Sequence, residues 1–160
     1  MTKKTLKSGS IEGIYIAPEE GADTVSRSKV RAVPGMGLEG DRNYIKQKGR
    51  PPEKRKPHKE LTLIESENIE RLMQDGEFAE IQPGELRRNI ITRDVPLNEL
   101  VGKTIEVGEV EVEGLELCEP CRHLEKLTGK KVMKPLIHRG GLRCRILSEG
   151  IIRLEDRISY

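Results

Sequence analysis

The chain has 160 residues, enough for one domain with a real core and too few for two comfortable ones. Its 29 Lys and Arg against 27 Asp and Glu leave a formal charge of +2, so net charge singles out neither nucleic acid nor a membrane surface as a partner. With 35% charged residues, 2% aromatic and no Trp, the core must be aliphatic, and no run approaches the ~20 apolar residues of a membrane span.

Residues 1–9 are polar and expected to form a flexible N-terminus, which leaves 10–160 as a single domain. The basic start from Met1 to Lys7 has no apolar stretch behind it. The three cysteines, Cys118, Cys121 and Cys144, make no even disulfide framework, so a soluble protein in a reducing, cytoplasmic setting is expected. Ser10–Ala17 reads as a first strand, stopped by Pro18 and the turn Glu19-Glu20-Gly21. Ser28–Val33 alternates polar and apolar as a second, half-buried strand, ended by Pro34-Gly35.

From Gly35 to Lys59 apolar periodicity is almost absent, a length that marks an unstructured connection as functional or disordered. Its second half, residues 46–59, carries Lys46, Lys48, Arg50, Lys54, Arg55, Lys56 and Lys59 against Glu53 alone. It is expected to be a mobile basic loop, either a solvated flap or an anion-steering lid for a phosphate-bearing ligand. Nucleic acid is the weaker reading, because the segment lacks the interleaved aromatics on which unpaired bases stack.

Leu61–Ile64 predicts a short buried strand, and Ser66–Gln74 a helix with Ile69, Leu72 and Met73 on one face and Ser66 as its cap. After the Pro83-Gly84 turn, Leu86–Thr92 predicts a strand whose Arg88 and Asn89 are long-reaching donors or ordinary strand-surface polarity. Val95–Val101 is a brief helical turn. Lys103–Val107 and Val110–Leu117 are strictly alternating strands joined by the two-residue turn Gly108-Glu109. Leu142–Leu147 and short pieces around Ile151-Ile152 and Asp156–Ile158 close the chain. Short strands that outnumber helices and are separated by Gly-centred turns give a mainly β (α+β) class, a compact β-barrel or sandwich carrying two or three short helices.

The reactive candidate is Cys121. Leu124 and Leu127 recur at helical spacing behind Pro120-Cys121, and Gly129 is the stop, so Cys121 is predicted in the first turn of a short helix. There the helix dipole, with Arg122 and His123 adjacent, favours the thiolate, the form that attacks electrophiles, carries sulfur or binds a soft metal. A small buried hydrophobe is the alternative role of such a cysteine. Cys118-x-x-Cys121 also has the spacing of half a zinc site, which Cys144 with His123 or His138 would complete, although a second close-spaced pair is missing. A thiol–disulfide role for the pair lacks the βαβ context it usually has, and Cys118 is either a resolving partner or a core residue. His123 and His138 are proton shuttles or plain surface histidines.

Four pieces stand in order: Gly40-Asp41-Arg42, then Pro83-Gly84-Glu85-Leu86-Arg87-Arg88-Asn89-Ile90, then Val101–Gly108, and finally Pro120-Cys121. Arg139-Gly140-Gly141-Leu142 and Glu149-Gly150-Ile151-Ile152 follow them. Together, from about Ser10 onward, they resemble the MOSC domain, the module shared with the C-terminal part of molybdenum cofactor sulfurases. The resemblance implies a β-barrel with an open cleft and a cysteine, here Cys121, that carries sulfur as a persulfide or ligates the molybdenum of a pterin cofactor. It also implies cofactor-binding roles for Arg88 and Asn89, which match the family's Arg-Asn element, and for Asp41 and Arg42, which match its Gly-Asp-Arg element. Asp41 reads as a partner orienting Arg42 or as a general base. Asn43 stands where the family often has His, so no proton transfer is carried over to that position. The family's larger members carry a pyridoxal-phosphate desulfurase domain, for which this length leaves no room, so a separate cysteine desulfurase or other sulfur donor is expected. Reduction of N-hydroxylated compounds with a redox partner is a further activity implied by analogy. A structural zinc protein, or a basic nucleic-acid-interacting barrel acting through residues 46–59, is the alternative.

Overall fold

The computed structural model describes residues 6–160. In chain order its strands are β1 (Ser8–Ile16), β2 (Val25–Ser26), β3 (Lys29–Val33), β4 (Gly37–Leu38), β5 (Leu61–Glu65), β6 (Ile90–Arg93), β7 (Thr104–Val107), β8 (Val110–Leu117), β9 (Leu142–Ile146), β10 (Gly150–Arg153) and β11 (Arg157–Ser159). The helices are α1 (Arg42–Lys48), α2 (Ser66–Met73), α3 (Arg122–Thr128) and α4 (Met133–Leu136). Several 3-10 turns, among them Pro52–Lys54, Pro57–Lys59, Pro83–Leu86 and Leu97–Leu100, join them.

Seven strands close into a barrel in the order β1, β11, β7, β8, β9, β5, β6, and back to β1. The seam is antiparallel, with Ser8 opposite Ser159 and Gly9 opposite Ile158. Around the ring only β5 and β6 run parallel, Leu63 opposite Ile90. Closure removes the open edges that would otherwise recruit other chains. A separate sheet of β10, β3 and β4 adds Val30, Ala32, Leu38 and Ile152 to the same core.

The alternation of the sequence dictates which side chains go inside. In β7 and β8, Ile105, Val107, Val110 and Val112 are buried while Thr104, Glu106 and Glu111 are exposed. β5 and β6 bury side chains on both faces, so Leu63-Ile64 and Ile90-Ile91 read as consecutive apolar pairs. Leu63 and Ile90 point into the barrel, whereas Ile64 and Ile91 face outward into a second cluster with Ile69, Leu72, Phe78, Ile81, Leu86, Leu124, Val132 and Leu136. Each fully buried aliphatic side chain stabilises the fold by roughly 1.5–3 kcal/mol. The outer cluster matters for the site, since it anchors α3 through Leu124.

Several expectations need correction. Residues 1–5 lie outside the described residues, but Ser8 and Gly9, expected in the flexible N-terminus, already pair with β11, so the strand begins earlier than Ser10. The strand expected from Leu86 begins only at Ile90, and Arg88 and Asn89 precede it. Pro83 and the reciprocal Gln82/Glu85 capping box wind the preceding residues into a 3-10 turn, and Arg87 then reverses the chain in the left-handed region at φ 59°. Ser66 is the first residue of α2, with Glu65 at the cap position.

The stretch from Gly35 to Lys59 is not structureless. It contains α1, whose Asp41 cap accepts the Asn43 N–H, and two 3-10 turns. Buried Gln47 holds the basic segment together: its Nε2 donates to the Lys56 carbonyl at 2.7 Å, and its Oε1 accepts from Lys56 N at 3.1 Å and Arg50 Nη1 at 3.0 Å. α1 has no apolar stripe, and its one aliphatic residue, Ile45, is 54% exposed, so periodicity could not reveal it.

Candidate functional site

β8 delivers the cysteine segment to one end of the barrel. Cys118, just past the strand, is buried and donates its N–H to the Gly141 carbonyl at 2.7 Å. Pro120 leads to Cys121, which occupies the cap position of α3 with extended backbone (φ −138°, ψ 168°), one residue before the predicted first turn. The helix stops at Gly129, whose φ of 70° favours glycine. All three cysteines are free; Cys121 is exposed, while Cys118 and Cys144 are buried. Burial, with Cys118 adding to it, pushes the Cys144 thiol far above the ordinary thiol range. Cys121 is therefore the cysteine presented for chemistry, and its neighbours Arg122 and His123 are exposed beside it.

Arg88 braces this segment from behind. Its Nε donates to the Gly140 carbonyl at 2.7 Å, Nη2 to the Cys118 carbonyl at 3.2 Å and Nη1 to the Leu86 carbonyl at 3.2 Å. Among the described residues no carboxylate pairs with it. Burial is the main cause that holds the guanidinium below its ordinary pKa; the Cys118 and Cys121 sulfurs oppose that shift, and the Arg143 and Arg42 charges add to it. Gly140 is needed for the brace, since a Cβ there would collide with the Cys118 carbonyl oxygen.

Cations crowd the same face. Arg143, outward on β9, lies opposite Thr62 of β5 and Glu116 of β8, and its Nη1 donates to the His58 carbonyl at 3.2 Å. Its nearest carboxylate, Glu116, stands off at 3.8 Å. Lys59 is held below its ordinary pKa by burial and by Arg143, Lys46 and Lys56; His58 is held low by burial, Lys59 and Arg143. Lys59, His58 and Arg143 gather here with Glu116 as the acid beside them, which leaves the face net positive. Sequence reasoning missed Arg143 and did not single out Lys59 from the basic run. The alternation of Leu142-Arg143-Cys144-Arg145 signals an outward Arg143, but only strand pairing brings it beside Arg88.

The remaining predicted residues are placed differently. Asn89 is buried and its amide staples strands: Oδ1 accepts from Thr62 N at 3.1 Å and Thr62 Oγ1 at 3.2 Å, and Nδ2 donates to the Tyr15 carbonyl at 3.1 Å. Asp41 is likewise buried; its Oδ1 accepts from Ala17 N at 3.0 Å and Arg42 Nη1 at 3.1 Å, and its Oδ2 accepts from Asn43 N at 3.2 Å. Arg42 is thereby oriented, and its charge reaches Arg87 and Arg88. Arg87 donates to the Ala22 carbonyl at 2.6 Å and lines a cleft of about 380 Å³ with Tyr15, Thr24, Gly84 and Leu127. His138 is turned to the outside, where its Nδ1 pairs with Glu119 at 3.2 Å. Among the described residues no three His, Cys, Asp or Glu side chains converge to hold a metal ion, so Cys118-x-x-Cys121 has no second half of a zinc site. No helix among them is long and apolar enough to cross a membrane.

The fold and sequence have clear relatives. The crystal structure of the YuaD protein from Bacillus subtilis superposes with a TM-score of 0.78 at 16% identity, covering 97% of this chain and 96% of that one. YiiM from Geobacillus stearothermophilus superposes with a TM-score of 0.70 at 14% identity, covering 95% of this chain and 75% of that one. YiiM from Escherichia coli gives 0.65 at 15% identity, over 95% and 68% of the two chains. At these identities the likeness is one of fold. No curated protein sequence matches the chain. The sequence profile of the MOSC domain matches residues 51–159, a span that contains β5 through β11, Arg88 and Cys121. This chain belongs to the MOSC domain family.

Proposed function

We propose that this MOSC protein handles a molybdenum–pterin cofactor through Cys121, which carries sulfur as a persulfide or ligates the metal. The observation that carries the reading is the exposed Cys121 on a segment braced by Arg88, whose guanidinium feels the charges of Arg143 and Arg42 as well as the Cys121 sulfur. The donor set fits such a group. A single soft sulfur suits molybdenum or a terminal sulfur atom better than a hard cation. Arg143, Lys59 and Arg42 suit the anionic phosphate of the pterin, the arginines through planar forks that a lysine does not reproduce. Arg88 supplies charge from a fixed position, since each of its nitrogens is already engaged. Asn89 and Asp41 support the reading indirectly, by holding β1 against β5 and by aiming Arg42.

When bound, the cofactor supplies molybdenum redox and group-transfer chemistry; the chain's own part is to hold it and to present the thiol. A separate sulfur donor such as a cysteine desulfurase loads Cys121, and a reducing, cytoplasmic setting keeps all three cysteines free. Reduction of N-hydroxylated compounds, with a redox partner, is the downstream activity by family analogy.

Elemental mass spectrometry of protein purified from cells that make the cofactor, wild type beside Cys121→Ser, tests the reading. Molybdenum in the wild type and none in the variant supports ligation; one added sulfur atom on Cys121 after incubation with a desulfurase and cysteine supports the carrier role. A protein that takes up neither overturns it.

A further inference from the structure

A cleft of about 690 Å³ is lined by the start of α2, by the 3-10 turn Leu97–Leu100 and by α4 with the residues that follow it. The first two supply the carboxylates Glu65 and Glu99, and the third supplies the cations Lys134 and Arg139. Opposite charges share one cavity, yet among the described residues none of them forms an ion pair. The scaffold fixes this arrangement: Asn98 Nδ2 donates to the His138 carbonyl at 2.7 Å, and Ile69, Leu72 and Leu136 join α2 and α4 in the outer cluster. His138 also lines the cleft, but its Nδ1 is engaged by Glu119 at 3.2 Å. Glu65 is half-buried; burial, with the charges of Glu67 and Glu99, raises its carboxyl above the ordinary pKa of 4.5, against the opposing Arg71 charge and Leu97 N–H. A cation entering beside these acids relieves their repulsion. Ile137, 58% exposed, adds apolar surface to the cleft.

We propose that this cleft is a ligand site for a small zwitterion of the amino-acid or short-peptide class, with its ammonium on Glu65 and Glu99, its carboxylate on Lys134 and Arg139, and an aliphatic side chain against Ile137. The cleft volume falls in the range of about 300–1,000 Å³ typical of small-molecule sites. Both charged ends are needed together. A lone cation would share the cavity with Lys134 and Arg139, and a lone anion would share it with Glu65 and Glu99; each is disfavoured by the like charges it meets. A dipolar ligand gives every one of these side chains a partner that the protein itself withholds. Cys121 does not line the cleft, so the site does not rest on the sulfur-carrying reading.

The test is isothermal titration of the full chain with leucine and with leucyl-leucine, alongside amide-resolved NMR. The expected result is saturable binding of at least one of them, with shifts at the Asn98 side-chain amide and the Ile137 backbone. Tighter binding of leucine assigns the free amino acid, and tighter binding of leucyl-leucine assigns the short peptide. Acetylating the amino end or amidating the carboxyl end of that ligand weakens binding about tenfold each. Glu99→Gln weakens the zwitterion about fivefold and leaves its acetylated form unchanged, whereas Arg139→Gln does the same and leaves the amidated form unchanged, which assigns each end to its own partners. Both positions are exposed, so these variants keep the fold. Equal binding of the zwitterion and both capped forms, variant effects that do not sort by ligand end, shifts confined to residues away from the cleft, or no saturable binding at millimolar concentration overturns the inference.

Discussion

Arg88 Nη2 donates to the backbone carbonyl of Cys118 at 3.2 Å, joining the turn before β6 to the segment that ends in Cys121. The same guanidinium holds Gly140 and Leu86, so one side chain fixes three loops at once. Arg88→Met leaves three carbonyls without their partner and is expected to cost about 2–4 kcal/mol. Urea denaturation measures it, and a loss below about 1 kcal/mol would show that the carbonyls find other donors.

Gly140 is the other half of that brace. Gly140→Ala sets a Cβ against the Cys118 carbonyl oxygen and Pro120, and is expected to destabilise by about 1–3 kcal/mol. Cys121 alkylation is expected to change in rate along with stability, because the strain falls on its own segment. A Gly140→Ala protein with wild-type stability and alkylation rate sinks the claim.

The cysteines should separate by burial. In the native protein iodoacetamide is expected to modify Cys121, while Cys118 and Cys144 react more than about a hundredfold slower, since they need local opening first. Peptide mapping before and after denaturation reads this directly. Cys144 has the further barrier of a thiol held protonated by burial.

Glu60 is a buried carboxyl whose Oε1 accepts from Gly35 N at 3.1 Å and Ile146 N at 3.0 Å. Burial raises its pKa above the ordinary 4.5, and the two N–H groups only partly oppose that. The folded state therefore binds this proton more tightly than the unfolded one. The associated stability is fully present below the unfolded pKa and is lost as pH rises through the raised folded value. Glu60→Gln keeps an acceptor for both N–H groups and is expected to raise the melting temperature near about pH 7, with the gain fading toward about pH 4. A variant less stable than wild type at neutral pH would mean that the carboxylate's two bonds outweigh its burial.

Gln47 ties residues 46–59 into one piece. Gln47→Ala removes three hydrogen bonds and is expected to speed tryptic cleavage within the segment about tenfold or more, with little change in the melting of the barrel. Unchanged cleavage would show that Arg55, which donates to the Gln47 and Arg50 carbonyls, suffices.

What the sequence determined by itself was whatever rests on local periodicity and punctuation. Strict alternation marked β7 and β8, Gly108 marked the turn between them, and Pro120, Leu124 and Gly129 located the cysteine at the start of α3. The ordered motifs were enough to name the family. What only the tertiary structure decided was which chain segments meet. Closure of the barrel pairs β1 with β11 from opposite ends of the chain, a contact no local pattern encodes. Asn89 and Asp41 have side chains equally suited to a ligand or to a staple, and their neighbours Thr62, Tyr15 and Ala17 engaged them as staples. α1 stayed hidden because a cap and buried polar bonds hold it, leaving no apolar stripe to see. The cation face follows the same logic: Arg88, Arg143 and Lys59 are far apart in sequence, and only long-range strand pairing brings their charges within range of one another.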